Sequence, residues 1–283
     1  MPSQAAHLFS IDVEEHFQVN AFDRVLSRDQ WDSQPSRVEA NTDRLLDLLA
    51  SHSATATCFT LGWVAERLPA LVRRIAAAGH ELASHTWWHR KVSTSRPEEF
   101  REEIRRSKRL LEDLTGTPVV GFRAPSFSIV PGTEWAFDVL LEEGYRYDSS
   151  LFPIRRPGYG YPQAPRHPYL IARPAGRLLE FPMATLPFLG LTIPAAGGGY
   201  LRHFPAWLIQ RAFRSLEREG YPGMFYVHPW EIDPEQPRLP VGALTRIRHY
   251  RNLDRTMPAL QALLAEFRFR SVRDWLAHNP APN

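Results

Sequence analysis

Cysteine is nearly absent from this chain of 283 residues, with Cys58 as its single example. No disulfide can form within the chain, which fits a reducing compartment. Cys58 lies in the apolar run Thr57-Cys58-Phe59 and reads as a small buried hydrophobe rather than a nucleophile. Residues 1–9 lack a basic segment followed by a long apolar one, so no secretory signal is read and a cytoplasmic location is expected. A strong charge of one sign is also missing. The formal net charge is +3, and residues such as Arg101, Arg105, Arg106, Lys108 and Arg109 cover the polar side of one helix. With no clustered basic face or groove-reading motif, nucleic acid is not an expected partner. Residues 181–201 carry no charge and are long enough to cross a bilayer. Pro182, Pro187, Pro194 and the triplet Gly197-Gly198-Gly199 break any helix there, so short strands and loops are expected and no membrane span.

What is present points to a globular α/β chain. Hydrophobic residues make up 43% and charged residues 23%, which excludes disordered and fibrous classes. Residues 7–13, 55–61, 81–84, 119–122 and 224–227 read as strands. Residues 37–49, 69–78, 134–143 and 205–219 read as helices between them. The best-defined helix starts at Pro97 with Glu98 and Glu99 in its first turn, carries Phe100, Ile104, Leu111 and Leu114 on one stripe, and stops at Gly116. The tail reads as a helix through Leu253, Met257, Leu260 and Leu264, a short strand at 267–269 and a last helix. Alternation of this kind predicts parallel strands wrapped by helices. Residues 1–283 form a single expected domain, with a Pro/Gly-rich insertion at about residues 153–200.

Ionisable residues fall where such strands end. Asp12, Glu14 and Glu15 close the first, His85 and His89 follow the third, Arg123 the fourth, Asp148 the fifth and His228 a later one. Placed at the carboxyl ends of parallel strands, they converge on one face of a barrel. His85-Thr86-Trp87-Trp88-His89 spaces two imidazoles by four residues, one turn apart if helical. With a carboxylate from the first strand they complete a two-histidine, one-acid set with an open position, as a catalytic zinc site requires.

Asp12-x-Glu14, Ser84-His85-x-x-x-His89, Arg123-x-Pro125, Asp148-Ser149-Ser150 and Val227-His228-Pro229 occur in the order of the five motifs of the NodB-type polysaccharide deacetylases, the family-four carbohydrate esterases, which residues 8–230 resemble. Residues 225–231 and 248–252 are similar to the subgroup associated with exopolysaccharide and exosortase loci. The resemblance implies a distorted (β/α)7-type barrel and hydrolysis of N-acetyl groups on a sugar polymer, with exopolysaccharide favoured. It implies one divalent metal ion, zinc preferred, held by Glu14, His85 and His89. Asp12 would be the general base, Arg123 its partner, and the Ser126 N–H an oxyanion donor. His228 would be the general acid, with Asp148 keeping its imidazolium charged.

The chain departs from the family pattern twice. The usual adjacent aspartates are replaced by Asp12 and Glu14 with Val13 between; strand alternation puts 12 and 14 on one side, while Glu15 stays an alternative ligand. The aromatic usual after the third-motif proline is replaced by Ser126, with Phe127 next. Trp87 and Trp88 wall the site or simply pack; Gly158-Tyr159-Gly160-Tyr161 reads as an ordinary loop, with sugar stacking as its alternative. Two competing functions use the same fold: a metal-independent amidohydrolase of ureides or cyclic amides, and a non-catalytic sugar-binding protein. Both classes usually lack part of the ligand set that this chain carries.

Overall fold

A computed structural model describes residues 6–156 and 158–279. Five residues of the N-terminal stretch read for a signal lie outside this range. The first half runs β1 (His7–Val13), α1 (Val38–Ser51), β2 (Thr57–Thr60), α2 (Gly62–Arg67), α3 (Pro69–Ala77), β3 (Glu81–Ser84), α4 (Pro97–Thr115), β4 (Gly121–Phe122), α5 (Trp135–Glu142) and β5 (Tyr147–Asp148). Two hairpins follow, β6 (Tyr169–Arg173) with β7 (Gly176–Glu180) and β8 (Thr185–Phe188) with β9 (Leu191–Pro194). The chain then forms α6 (Gly199–His203), α7 (Ala206–Glu219), β10 (Met224–Val227), α8 (Ala243–Tyr250), α9 (Thr256–Glu266), β11 (Phe269–Arg270) and α10 (Val272–Leu276).

Seven strands in the order β10-β1-β2-β3-β4-β5-β7 run parallel. The ring closes through one bridge beyond β7, where Met183 pairs with Met224 and the Ala184 N–H donates to the Met224 carbonyl at 3.1 Å. The distortion has a visible cause: β4 and β5 hold two residues each, and β3 meets β4 at the single pair Ser84–Phe122. All seven residues of β1 are buried, as expected of a central parallel strand covered on both faces. α4 covers the flank of this sheet with Phe100, Ile104 and Leu111, and Gly116 ends it at φ 67°, a left-handed conformation that favours glycine.

The middle section is not a plain insertion. Its β7 is a barrel strand and its continuation closes the ring, while β6 lies outside as an antiparallel edge. The short helices α2, α6 and α8 were not expected from the sequence. Among the described residues no helix is long and apolar enough to cross a membrane.

Candidate active site

The strand ends open into a cleft of about 380 Å³ lined by Asp12, Glu14, His85, His89, Ser126, Phe127 and His228, with Asn20, Lys91, Tyr159 and Arg248 at its rim. The residues expected at the site are thus brought together, with one exception.

Glu14, His85 and His89 present ligand atoms that all lie within 4.8 Å of one another. His89 Nε2 is 2.8 Å from Glu14 Oε2, and His85 Nε2 is 3.9 Å from the same oxygen. His85 Nδ1 lies 2.8 Å from the Arg123 carbonyl, so that nitrogen carries the proton and Nε2 keeps its lone pair for the cleft. Burial pushes His85 down to about 4, which keeps the ring neutral at pH 7. Burial opposes ionisation of Glu14, but the charges of His89, His228 and His85 and the hydrogen bond to His89 outweigh it and hold the carboxyl near 2. Glu14 Oε1 accepts from the Trp230 indole at 3.2 Å, which leaves Oε2 turned toward the two imidazoles. A lone-pair imidazole and an ionised, buried carboxylate that converge with a second imidazole on one point suit a divalent cation.

The His-x-x-x-His segment is not helical. Thr86 and His89 sit at φ 65° and 52°, and the chain bends so that the two rings lie 5.2 Å apart. A β-branched residue at positive φ is strained, by roughly 1–3 kcal/mol. Trp87 and Trp88 point away from the cleft; their backbone N–H groups donate to the Glu103 carboxylate, and Trp87 packs on α2 under the Arg106 guanidinium. They are packing residues.

Strand alternation separates Glu14 from Glu15. The Glu15 carboxylate turns outward and accepts from the Ser36 hydroxyl and the backbone N–H groups of Arg37 and Val38, so it caps the start of α1. That engagement leaves Glu14 as the acid facing the histidines.

Asp12 Oδ1 accepts from Arg123 Nη1 at 2.6 Å. Arg123 is fully buried and is fixed further by Ser10 Oγ, the Ser149 carbonyl and Ser149 Oγ, with its guanidinium 4.0 Å from the Phe59 ring. This clamp leaves Asp12 Oδ2 facing His228 Nε2 at 3.8 Å. The Ser126 N–H, at φ 54°, donates to no backbone acceptor among the described residues, while its hydroxyl donates to Asn20. Phe127 packs against Phe152 and Tyr226 beside the cleft.

Asp148 is the exception. The resemblance gave it to His228, but its oxygens accept from the Ser150 hydroxyl and N–H at 2.6 and 3.2 Å, and it faces Glu180 across the β5–β7 register. Burial raises both carboxyls, Glu180 well above the usual range, as two acids sharing a dry site must. His228 is served by Glu231, whose Oε1 lies 2.7 Å from Nδ1 and also accepts the His228 N–H at 3.1 Å. The turn at residues 229–232 places an acid three positions on directly under the ring, which Asp148 on another strand does not match. Burial disfavours the imidazolium, yet the Glu231 hydrogen bond and the charges of Glu14, Glu231 and Asp12 raise His228 to about 9.

Glu231 is held in turn by Arg202, whose Nε donates at 2.9 Å. Arg202 also donates to the carbonyls of Arg248, His249 and Arg251, and Asn252 returns a bond to the Arg202 carbonyl. Residues 248–252 therefore act as the backing of the acid pair. Trp230 stacks between His228 and His249, at 4.9 and 4.0 Å between centroids. Glu231 had a signal in the sequence, an acid three positions after His228 across a proline. Arg202 had none.

Comparison with known proteins matches residues 29–140 to the family model "Polysaccharide deacetylase" and residues 149–277 to "Domain of unknown function (DUF3473)". The site is divided between them: His85, His89 and Arg123 fall in the first match, His228 and Glu231 in the second, and Asp12 and Glu14 precede both. A peptidoglycan-N-acetylglucosamine deacetylase of Bacillus cereus is 34% identical over 96 residues, covering 34% of this chain and 35% of that protein. The chain thus spans about a third of this curated relative. A solved Mycobacterium smegmatis protein assigned to the polysaccharide deacetylases shares the fold at 22% identity and TM-score 0.62, over 98% of this chain and 91% of the other. The allantoinase PuuE shares it as closely, at 22% identity and TM-score 0.63 over the same shares. The fold alone does not separate these chemistries. Residues 29–140 thus carry the likeness to the polysaccharide deacetylases, the family that the five motifs resemble, and residues 149–277 carry the likeness to DUF3473, each over less than half of the chain.

Proposed function

We propose that the chain is a metal-dependent hydrolase that removes N-acetyl groups from a polysaccharide, with exopolysaccharide favoured through the DUF3473 pairing. The observation that carries this reading is the convergence of Glu14, His85 and His89 on one point beside the clamped Asp12. Zinc suits two imidazoles and one carboxylate, and when bound it would supply Lewis-acid activation of water and of the amide carbonyl.

The remaining work falls to the chain's own groups. Arg123 keeps Asp12 ionised and turned, so that Oδ2 can take the proton of the attacking water. The Ser126 N–H faces the charge that develops on the carbonyl oxygen. His228 donates its Nε2 proton to the sugar nitrogen as the C–N bond breaks, because an amide anion is a poor leaving group. Glu231 fixes which nitrogen of His228 faces the cleft. Ala124 and Phe127 give the pocket an apolar wall that suits an acetyl methyl.

The shared fold of the allantoinase keeps a ureide hydrolase as the second reading. We expect acetate release from N-acetylglucosamine oligomers or an N-acetylated exopolysaccharide in the presence of zinc, abolished by a chelator and restored by the metal. Allantoin turnover that a chelator leaves intact would overturn this reading in favour of the second.

A further inference from the structure

Residues 181–201 carry no charged side chain, and the barrel uses only their ends. Met183 and Ala184 close the ring, and the Ala196 carbonyl accepts from the Tyr226 N–H. Between them, among the described residues, β8 and β9 pair only with each other. Their turn holds Leu189 at φ 49° and Gly190 at φ 76°. Two left-handed residues make a tight hairpin turn whose first position favours asparagine or aspartate. Here a leucine occupies it, strained and 86% exposed. Phe188 and Leu191 beside it and Trp207 on α7 are exposed as well. Nothing in the packing of the barrel asks for four large apolar groups at this corner.

Next to the hairpin, Trp207, Arg211, Arg214 and Arg218 line one hollow on α7. Their three- and four-residue spacing puts them on a single stripe. The Arg211 guanidinium lies 5.9 Å from the Phe188 ring, which joins stripe and hairpin into one surface. Arg214 pairs with Glu266, whereas Arg211 and Arg218 have no carboxylate partner among the described residues.

We propose that the β8–β9 tip and the α7 arginines form an attachment surface for an anionic phospholipid bilayer. The uncharged tip enters the headgroup–acyl boundary, and the arginines stay at the phosphates, reaching out along their apolar stems. A second copy of the chain is disfavoured as the occupant, because a twofold contact through this patch brings like-charged arginine stripes together. The inference stands apart from the catalytic reading and can fail without it.

Sedimentation of the full chain with vesicles tests it. Phosphatidylcholine vesicles containing phosphatidylglycerol should retain the protein, and vesicles of phosphatidylcholine alone should not. Arg211→Gln/Arg218→Gln should weaken binding roughly twentyfold. Leu189→Asn/Leu191→Ser should weaken it by about tenfold or more. Leu189→Asn alone relieves the turn, so its melting temperature should hold or rise while binding falls, which separates loss of binding from loss of fold. Equal retention on both vesicle types, undiminished binding by Leu189→Asn/Leu191→Ser, or a solution dimer abolished by that variant without vesicle binding would each overturn the proposal.

Discussion

Asp12→Asn is expected to lower kcat by about a thousandfold while leaving bound metal unchanged. The substitution keeps the size of the side chain and a carbonyl oxygen to accept from Arg123 Nη1, so the clamp at 2.6 Å survives in part. What disappears is a carboxylate oxygen able to take a proton opposite His228 Nε2, now 3.8 Å away. Glu14, His85 and His89 are untouched, so metal content should match that of the wild type. Arg123 is fully buried and loses its one salt-bridge partner among the described residues, so the melting temperature should drop as well. Steady-state kinetics on protein of verified metal content reads the effect. A rate within a few-fold of wild type would remove Asp12 from the base role and leave it as a structural partner of Arg123.

The second large effect concerns the acid. His228→Ala should lose about a hundredfold or more in kcat with little change in KM, because proton donation to the departing nitrogen belongs to the transition state. Glu231→Gln keeps the hydrogen bond but not the charge. It should cost less and should move the alkaline limb of the pH–rate profile downward. The sign follows from the raised position of His228, near 9: its acid form persists above neutrality, and removing the Glu231 charge lets the proton leave at lower pH. A cation engaging Glu14 would make the share that falls to Glu231 larger still. If Glu231 acts only through His228, the double variant should be no slower than His228→Ala alone. Losses that multiply would show that Glu231 has a separate task, and a rise in KM alone for His228→Ala would make that residue a binder of substrate.

Much of this site was legible because parallel strands end where their chemistry begins. β1 declares itself by the run Leu8–Ile11 leading into Asp12, Glu14 and Glu15, and β3 by a short run ahead of His85. α4 carries its own punctuation in Pro97 and Gly116, and both ends fall where those residues predict. Legibility failed where the cause is tertiary. β7 lies in a Pro-rich stretch and earns its place in the ring only by pairing with β5 and, beyond its end, with Met224. The non-helical bend at residues 85–89 depends on left-handed conformations at Thr86 and His89, which neither residue type signals. Asp148 was misplaced because a motif's order along the chain does not say which acid touches which base. Here the turn after His228 delivers Glu231 locally, and Asp148 is absorbed into a buried pair with Glu180. At residues 188–191 the apolar stretch beside Pro187 reads as short strands and loops, yet the fold leaves Phe188, Leu189 and Leu191 exposed.

Metal-dependent hydrolysis at this site requires that Glu14, His85 and His89 hold a metal ion. Measuring bound metal per chain after incubation with zinc and removal of the excess tests this directly, with wild type beside His85→Ala/His89→Ala. We predict about one ion per wild-type chain and none in the variant, with both proteins folded by circular dichroism. A wild-type chain that stays metal-free, or a variant that binds as much as wild type, would contradict the account; in the first case the metal-independent amidohydrolase takes its place.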